Sequence, residues 1–193
     1  MPFGARETLE AHEILTEKKN AIEQLSFYAA QAQAPELRSI LENQLGSMKS
    51  GYNQMVGYTH DYSAAQAGVP TYQPPQLSPE HIRYGLRHPA DQQVQLGGGS
   101  AALFSDGQIA SYALTCHKNG AKNQMNAALE CADPNVRQMM IDGSLSCANQ
   151  AYELFAYMNR QGSYQIPTMH DHTAKTYLHL YHPVQQEGGP IHY

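Results

Sequence analysis

Pro35-Glu36-Leu37-Arg38-Ser39-Ile40-Leu41 and Pro134-Asn135-Val136-Arg137-Gln138-Met139-Met140 stand 99 residues apart and share one pattern. Each opens on a proline, which the first turn of a helix tolerates because its amides have no intrahelical acceptor. Each then sets apolar residues three and four apart, the spacing of one helix face. The same shift carries Met55, Val56 and Tyr58 onto Leu154, Phe155 and Tyr157. A similar exit follows each stretch, Val69-Pro70-Thr71 and Ile166-Pro167-Thr168. The chain therefore reads as two copies of one unit.

Each unit is predicted to be a helical hairpin. Upstream of Pro35, residues 8–33 place Leu15, Ile22, Leu25, Ala29 and Ala32 at helical steps, widened by Ile14, Ala21 and Tyr28. Thr8 is the expected N-cap, with Glu10 and Glu13 near the positive end of the helix dipole. The second helix runs to about Tyr62 on a seam from Leu37 and Leu41 through Leu45, Met48 and Tyr52 to Met55 and Thr59. A link of about two residues forces the pair antiparallel. In the second unit, residues 107–132 carry Ile109, Ala113, Cys116, Gly120, Ala127 and Cys131 on the core face. A fourth helix follows to about Arg160 on a seam of Val136, Met140, Gly143, Cys147, Ala151, Leu154 and Met158. Gly162 terminates it. The interior is expected to be apolar, with small residues where the third and fourth helices cross.

Between the hairpins, residues 63–106 cannot be one helix. Val69-Pro70-Thr71-Tyr72-Gln73-Pro74-Pro75 forbids it, and Gly97-Gly98-Gly99-Ser100 reads as a hinge. Ser78-Pro79 predicts one short helix over roughly 79–87. A helix of about 26 residues is roughly 39 Å long, so a chain returning along it needs at least about 12 extended residues. The fold class is therefore all-α: a ferritin-like four-helix bundle made of two duplicated helical hairpins with a long crossover. The expected divisions are a bundle over 1–162, comprising hairpins at 8–62 and 107–162 with the crossover linker at 63–106, and a C-terminal tail over 163–193. In the tail, Thr173 to His182 alternates like a strand, and Gly188-Gly189-Pro190 is expected to be mobile.

Composition excludes several functions. Acidic residues outnumber basic ones 17 to 12 and no basic stripe occurs, which argues against a nucleic-acid partner. No apolar run approaches the 18 or so residues that span a bilayer, and the start lacks an apolar signal core, so neither a membrane partner nor secretion is expected. Charged residues make up only 15% of the chain, and such surfaces associate readily. Cys116, Cys131 and Cys147 are odd in number and form no C-x-x-C, so they read as small buried hydrophobes.

Candidate chemistry is thin. A ferritin-like di-metal centre needs Glu-x-x-His on two helices, and the sequence contains none. The corresponding stretches read Glu42-Asn43-Gln44-Leu45 and Asp142-Gly143-Ser144-Leu145. His12-Glu13 and Cys116-His117 are neighbours on helices, so their side chains diverge by about 100°. His170, His172, His179 and His182 could bind a metal weakly from the tail. No phosphate loop or nucleophile elbow is present. We expect no catalytic residues, no cofactor-binding residues, no metal ligands and no cofactor. Thirteen tyrosines and no tryptophan are present. Tyr62, Tyr72, Tyr84, Tyr164, Tyr177, Tyr181 and Tyr193 fall outside the seams and suit interfaces.

The second hairpin also carries a resemblance. Phe104-Ser105-Asp106, then Ala132-Asp133-Pro134-Asn135-Val136-Arg137, and finally Tyr157-Met158-Asn159-Arg160-Gln161-Gly162-Ser163-Tyr164 are similar to the Coat F family of bacterial endospore coat proteins. The opening Phe3-Gly4-Ala5-Arg6-Glu7 is similar to that family's N-terminal segment. The resemblance departs at Ser163, where the family has a bulky aromatic. It implies a ferritin-like bundle, synthesis in the mother-cell cytoplasm, a place in the spore coat, and no established enzymatic activity. The chain is therefore read as a structural spore coat protein that packs with other spore coat proteins and with further copies of itself as a homo-oligomer. The alternative readings are a ferritin-like metal-binding or oxidative-stress protein, and an adaptor whose linker and tail recruit another coat component.

Overall fold

A computed structural model describes residues 3–61, 68–76, 78–87 and 104–183. Expectations for Tyr62, Tyr193, the glycines at 97–99 and the last ten residues lie outside these. The protein is all-α. Four long helices, α1 (Ala5–Gln31), α2 (Pro35–His60), α3 (Asp106–Glu130) and α4 (Pro134–Arg160), are followed by a short α5 (Asp171–Leu178). Helix α1 packs on α2 and α3, and α4 packs on α2 and α3. The four form a square around one interior.

Pro35 and Pro134 occupy the first turns of α2 and α4 as read from the sequence. The start of α1 differs. The helix begins at Ala5 because the Glu7 carboxylate bends back to accept the Gly4 N–H at 3.2 Å, satisfying an orphan amide. Thr8 is already helical, and its hydroxyl donates to Gly4 O.

The two ends of the bundle are latched by acids. Asp106, opening α3, accepts the amides of Gln33 and Ala34 in the α1–α2 turn at 2.8 and 2.9 Å. Glu7, opening α1, accepts the Asp133 amide in the α3–α4 turn at 2.7 Å. Asp133 caps α4 through the amides of Asn135 and Val136, and Tyr58 near the end of α2 donates to it at 2.8 Å. Thus α2 ends beside one turn while α3 starts beside the other.

The connection between α2 and α3 lies against α4. Ser146 Oγ accepts the Tyr72 amide, and Asn149 donates to Tyr72 O at 2.7 Å. Further on, Asn159 accepts the Arg83 amide and donates to Arg83 O, and Gly85 donates to Ile166 O. The short helix expected over 79–87 shrinks to a 3-10 turn at Pro79–His81. The backbone of 83–87 is bonded to Asn159, Gln165 and Ile166 instead, so it is not available for a helical ladder. Gly85 takes a φ of +92° and Gly162 one of +79°, which L side chains rarely adopt. Gly162 ends α4 as read.

The tail also departs from the sequence reading. Residues 171–178 are helical, not extended. Among the described residues no strand offers a ladder to join, so local contacts decide. Asp171 and Lys175 pair at 2.6 Å across one turn, and Thr176 donates to His172 O. No residue of α5 is buried.

Two apolar clusters fill the interior. Leu25, Leu37, Leu41, Ile109 and Leu154 form one; Ile14, Met55, Val136 and Met140 form the other. Between them the interior is polar, contrary to the apolar centre expected. Gln44, His117, Gln124, Ser144, Gln150 and Glu153 are all buried there.

Candidate functional site

The polar layer is a hydrogen-bonded chain whose proton positions can be deduced. Glu153 accepts at Oε2 from the Tyr72 hydroxyl at 2.5 Å and from Gln44 Nε2 at 2.8 Å. A carboxylate only accepts, so the Gln44 nitrogen faces Glu153 and its oxygen faces away. That oxygen meets His117 Nε2 at 2.9 Å. The imidazole must therefore donate from Nε2, which leaves Nδ1 as the bare acceptor. Nδ1 has no partner. Gln150 closes the layer by donating to Gln44 O while Gln44 donates to Gln150 O.

Electrostatics follow from burial. His117 is pushed down to about 4 because its charged form is desolvated. The Tyr72 phenol is raised by burial and by its bond to Glu153. Cys116 is pushed up to about 11, chiefly by burial, and remains a thiol at neutral pH. Its neighbour His117 turns to α2, so the two do not form a nucleophile and base. His12 and Glu13 are both exposed. His170, His172, His179 and His182 are exposed along the tail. Among the described residues, no three of His, Cys, Asp and Glu are placed to hold a metal ion.

Of the tyrosines singled out, Tyr72 enters the layer and Tyr164 packs edge-on against Phe155 at 5.1 Å, beneath Lys118. Tyr84, Tyr177 and Tyr181 are exposed. Sequence reasoning missed Gln44, His117, Gln150 and Glu153. The signal was present: Gln44 lies three residues after Leu41, and His117 four after Ala113, on the seams themselves.

Removing the Tyr72 hydroxyl is the direct test of the bond between the connection and Glu153 of α4. Tyr72→Phe leaves Glu153 with one donor fewer in a dry site. It should lower the unfolding free energy by about 1–2 kcal/mol, measured by chemical denaturation. Tyr72→Phe matching the parent chain would mean that the connection is held without this bond.

The fold is thus four long helices around an interior whose polar layer links α2, α3, α4 and the connection. Residues 105–167, from the N-cap of α3 through α4 and its exit, match the Coat F domain. Over that stretch, the second hairpin, the chain is similar to the Coat F family. It is 24% identical over 187 residues to the "Spore coat protein F-like protein YhcQ" of Bacillus subtilis (strain 168), covering 97% of this chain and 84% of that one. No solved structure matches the chain. No helix among the described residues is long and apolar enough to cross a membrane.

Proposed function

We propose that the protein is a structural component of the bacterial spore coat, acting by self-association and by packing with other coat proteins. The Coat F match over α3 and α4 carries this reading. Synthesis in the mother-cell cytoplasm goes with it. A fluorescent fusion should gather on the forespore during sporulation. A diffuse mother-cell signal throughout would overturn the reading.

The scaffold is read as a ferritin-like bundle over 1–162, built by duplication, with a separate tail over 163–193. One pair of contacts supports duplication beyond the sequence match. Glu7 and Asp106 stand 99 residues apart, as do Ala34 and Asp133. Asp106 holds the Ala34 amide, and Glu7 holds the Asp133 amide. The same latch is used twice, in opposite directions.

A ferritin-like frame raises the question of a metal at mid-height. The donor set does not fit one. His117 and Glu153 are bridged by the Gln44 amide, whose nitrogen faces the carboxylate as a donor. Amide nitrogens are not metal ligands, so two carboxylate-histidine motifs are replaced by one of each separated by a spacer. We therefore assign the layer a structural role and no catalysis.

The tail is the proposed contact. Met169, Tyr177, Leu178, Leu180 and Tyr181 are all more than half exposed, and α5 pairs its only charges internally. Truncating the chain after Pro167 spares the bonded exit of α4. It should reduce the assembly mass read by light scattering while helical circular dichroism is kept. Unchanged mass would shift the contact to the bundle faces.

A further inference from the structure

The outer face of the second hairpin carries apolar residues where solvent alone would favour polar ones. Lys118, Lys122, Met125 and Leu129 follow one another on α3 at helical steps, and all are exposed. Leu145, Ala148 and Tyr152 do the same on α4. Such spacing keeps each row on one side of its helix. Lys118, Lys122, Ala148 and Tyr152 line one hollow, so the two rows share a face. The connection packs on Ser146, Asn149 and Glu153 instead, a different edge of α4.

The first hairpin serves as an internal control. Shifted by 99 residues, Lys118, Lys122, Met125 and Leu129 fall on Lys19, Glu23, Ser26 and Ala30. Leu145, Ala148 and Tyr152 fall on Gly46, Lys49 and Asn53. Those seven positions are exposed as well, yet they are polar or small, and Lys19 pairs with Glu23. Exposure is the same and the side chains differ. An exposed apolar row edged by charge is the form of an interaction surface.

The face is also complementary to itself. At one end is a hollow of about 430 Å³, lined by the small Ala121, Ala148 and Ala151 and by the rings of Tyr152, Phe155 and Tyr164. Lys118 and Lys122 complete its lining. At the other end Leu129 projects, 71% exposed, about 12 Å along α3 from Ala121. Glu130 stands beside it in a surface ion pair with Arg6. Two copies related by a two-fold axis near Met125 each place Leu129 over the hollow of the other. The same rotation turns the lysine end of one copy toward the Glu130 end of the other. A parallel pairing would set lysines against lysines.

We propose that the outer face of α3 and α4 is a two-fold contact between copies of the chain, with Leu129 of each seated in the hollow of the other. This rests on the self-association reading and adds a second contact to that of the tail. Leu145 to Tyr152 and Lys118 to Leu129 span about 11 and 17 Å of helix, on a pair of helices about 20 Å wide. That footprint is well below the roughly 800 Å² per partner of a standard interface. The pairing is therefore weak and driven by concentration.

Light scattering of the full chain over a concentration series should show the mass rising. Leu129→Lys puts a third cation against Lys118 and Lys122, and like charges brought together across a contact weaken it. It should move the rise to at least about tenfold higher concentration. Ala148→Lys fills the hollow with the residue that the first hairpin carries as Lys49, and should do the same. Ala30→Lys adds the same charge at the matching place on the first hairpin and should leave the curve unmoved. All three positions are exposed, and helical circular dichroism checks that each variant folds; if one of the first two does not, the other decides. A curve unmoved by Leu129→Lys and Ala148→Lys, or moved equally by Ala30→Lys, would overturn this contact while self-association stands. A parent chain that stays monomeric throughout would overturn both.

Discussion

Leu154→Ala and Leu41→Ala should each lower the unfolding free energy by about 2–5 kcal/mol, the usual range for a core leucine. Both side chains are fully buried and belong to the same apolar cluster, from α4 and α2. The removed atoms leave a cavity that four packed helices close only in part. Urea denaturation followed by circular dichroism measures the loss. Values below about 1 kcal/mol at both positions would be those of surface sites, and would mean that the seams have been assigned to the wrong helix faces.

Acid should unfold the protein through His117. The folded protein holds this imidazole neutral down to about 4, whereas the unfolded chain protonates it near 6.5. Between those values the unfolded chain binds more protons, so stability falls as pH falls. A drop of that size in pKa corresponds to about 3 kcal/mol, fully lost below pH 4. The cause is visible in the layer: a proton on Nδ1 would find no acceptor. Carboxylates titrate in the same region, so the measurement is the difference between the parent and His117→Gln. The parent should lose stability from pH 6.5 to 4 by about that amount more than the variant. Parallel pH profiles would mean that folding does not shift the His117 pKa.

The sequence disclosed the helices because their apolar residues recur at fixed steps. Leu37, Leu41, Val136, Met140 and Leu154 are buried as their spacing requires. Pro35, Pro134 and Gly162 mark boundaries because their backbones allow little else. The middle of the bundle was not legible in the same way. A search for apolar periodicity passes over Gln44, His117 and Glu153, although they sit at core spacings. Their burial depends on partners on other helices, and Tyr72 comes from a connection with no period at all. The tail misled because alternation over ten residues is weak, and the spacing of Asp171 and Lys175 fits a helical turn as well.

The two acidic latches have a consequence for how the chain comes to be folded. Gln33, Ala34 and Asp133 are turn amides, and each finds its acceptor only on the opposite hairpin. The α1–α2 turn is synthesised 73 residues before the Asp106 that holds its Gln33 amide. Until then the Gln33 and Ala34 amides lack that acceptor and the apolar seam lies open. Neither hairpin completes its own ends, so the final stability belongs to the docking of the two. Folding is thereby concentrated into one late, cooperative event, and a nascent chain stalled before residue 106 is the species most exposed to misassembly.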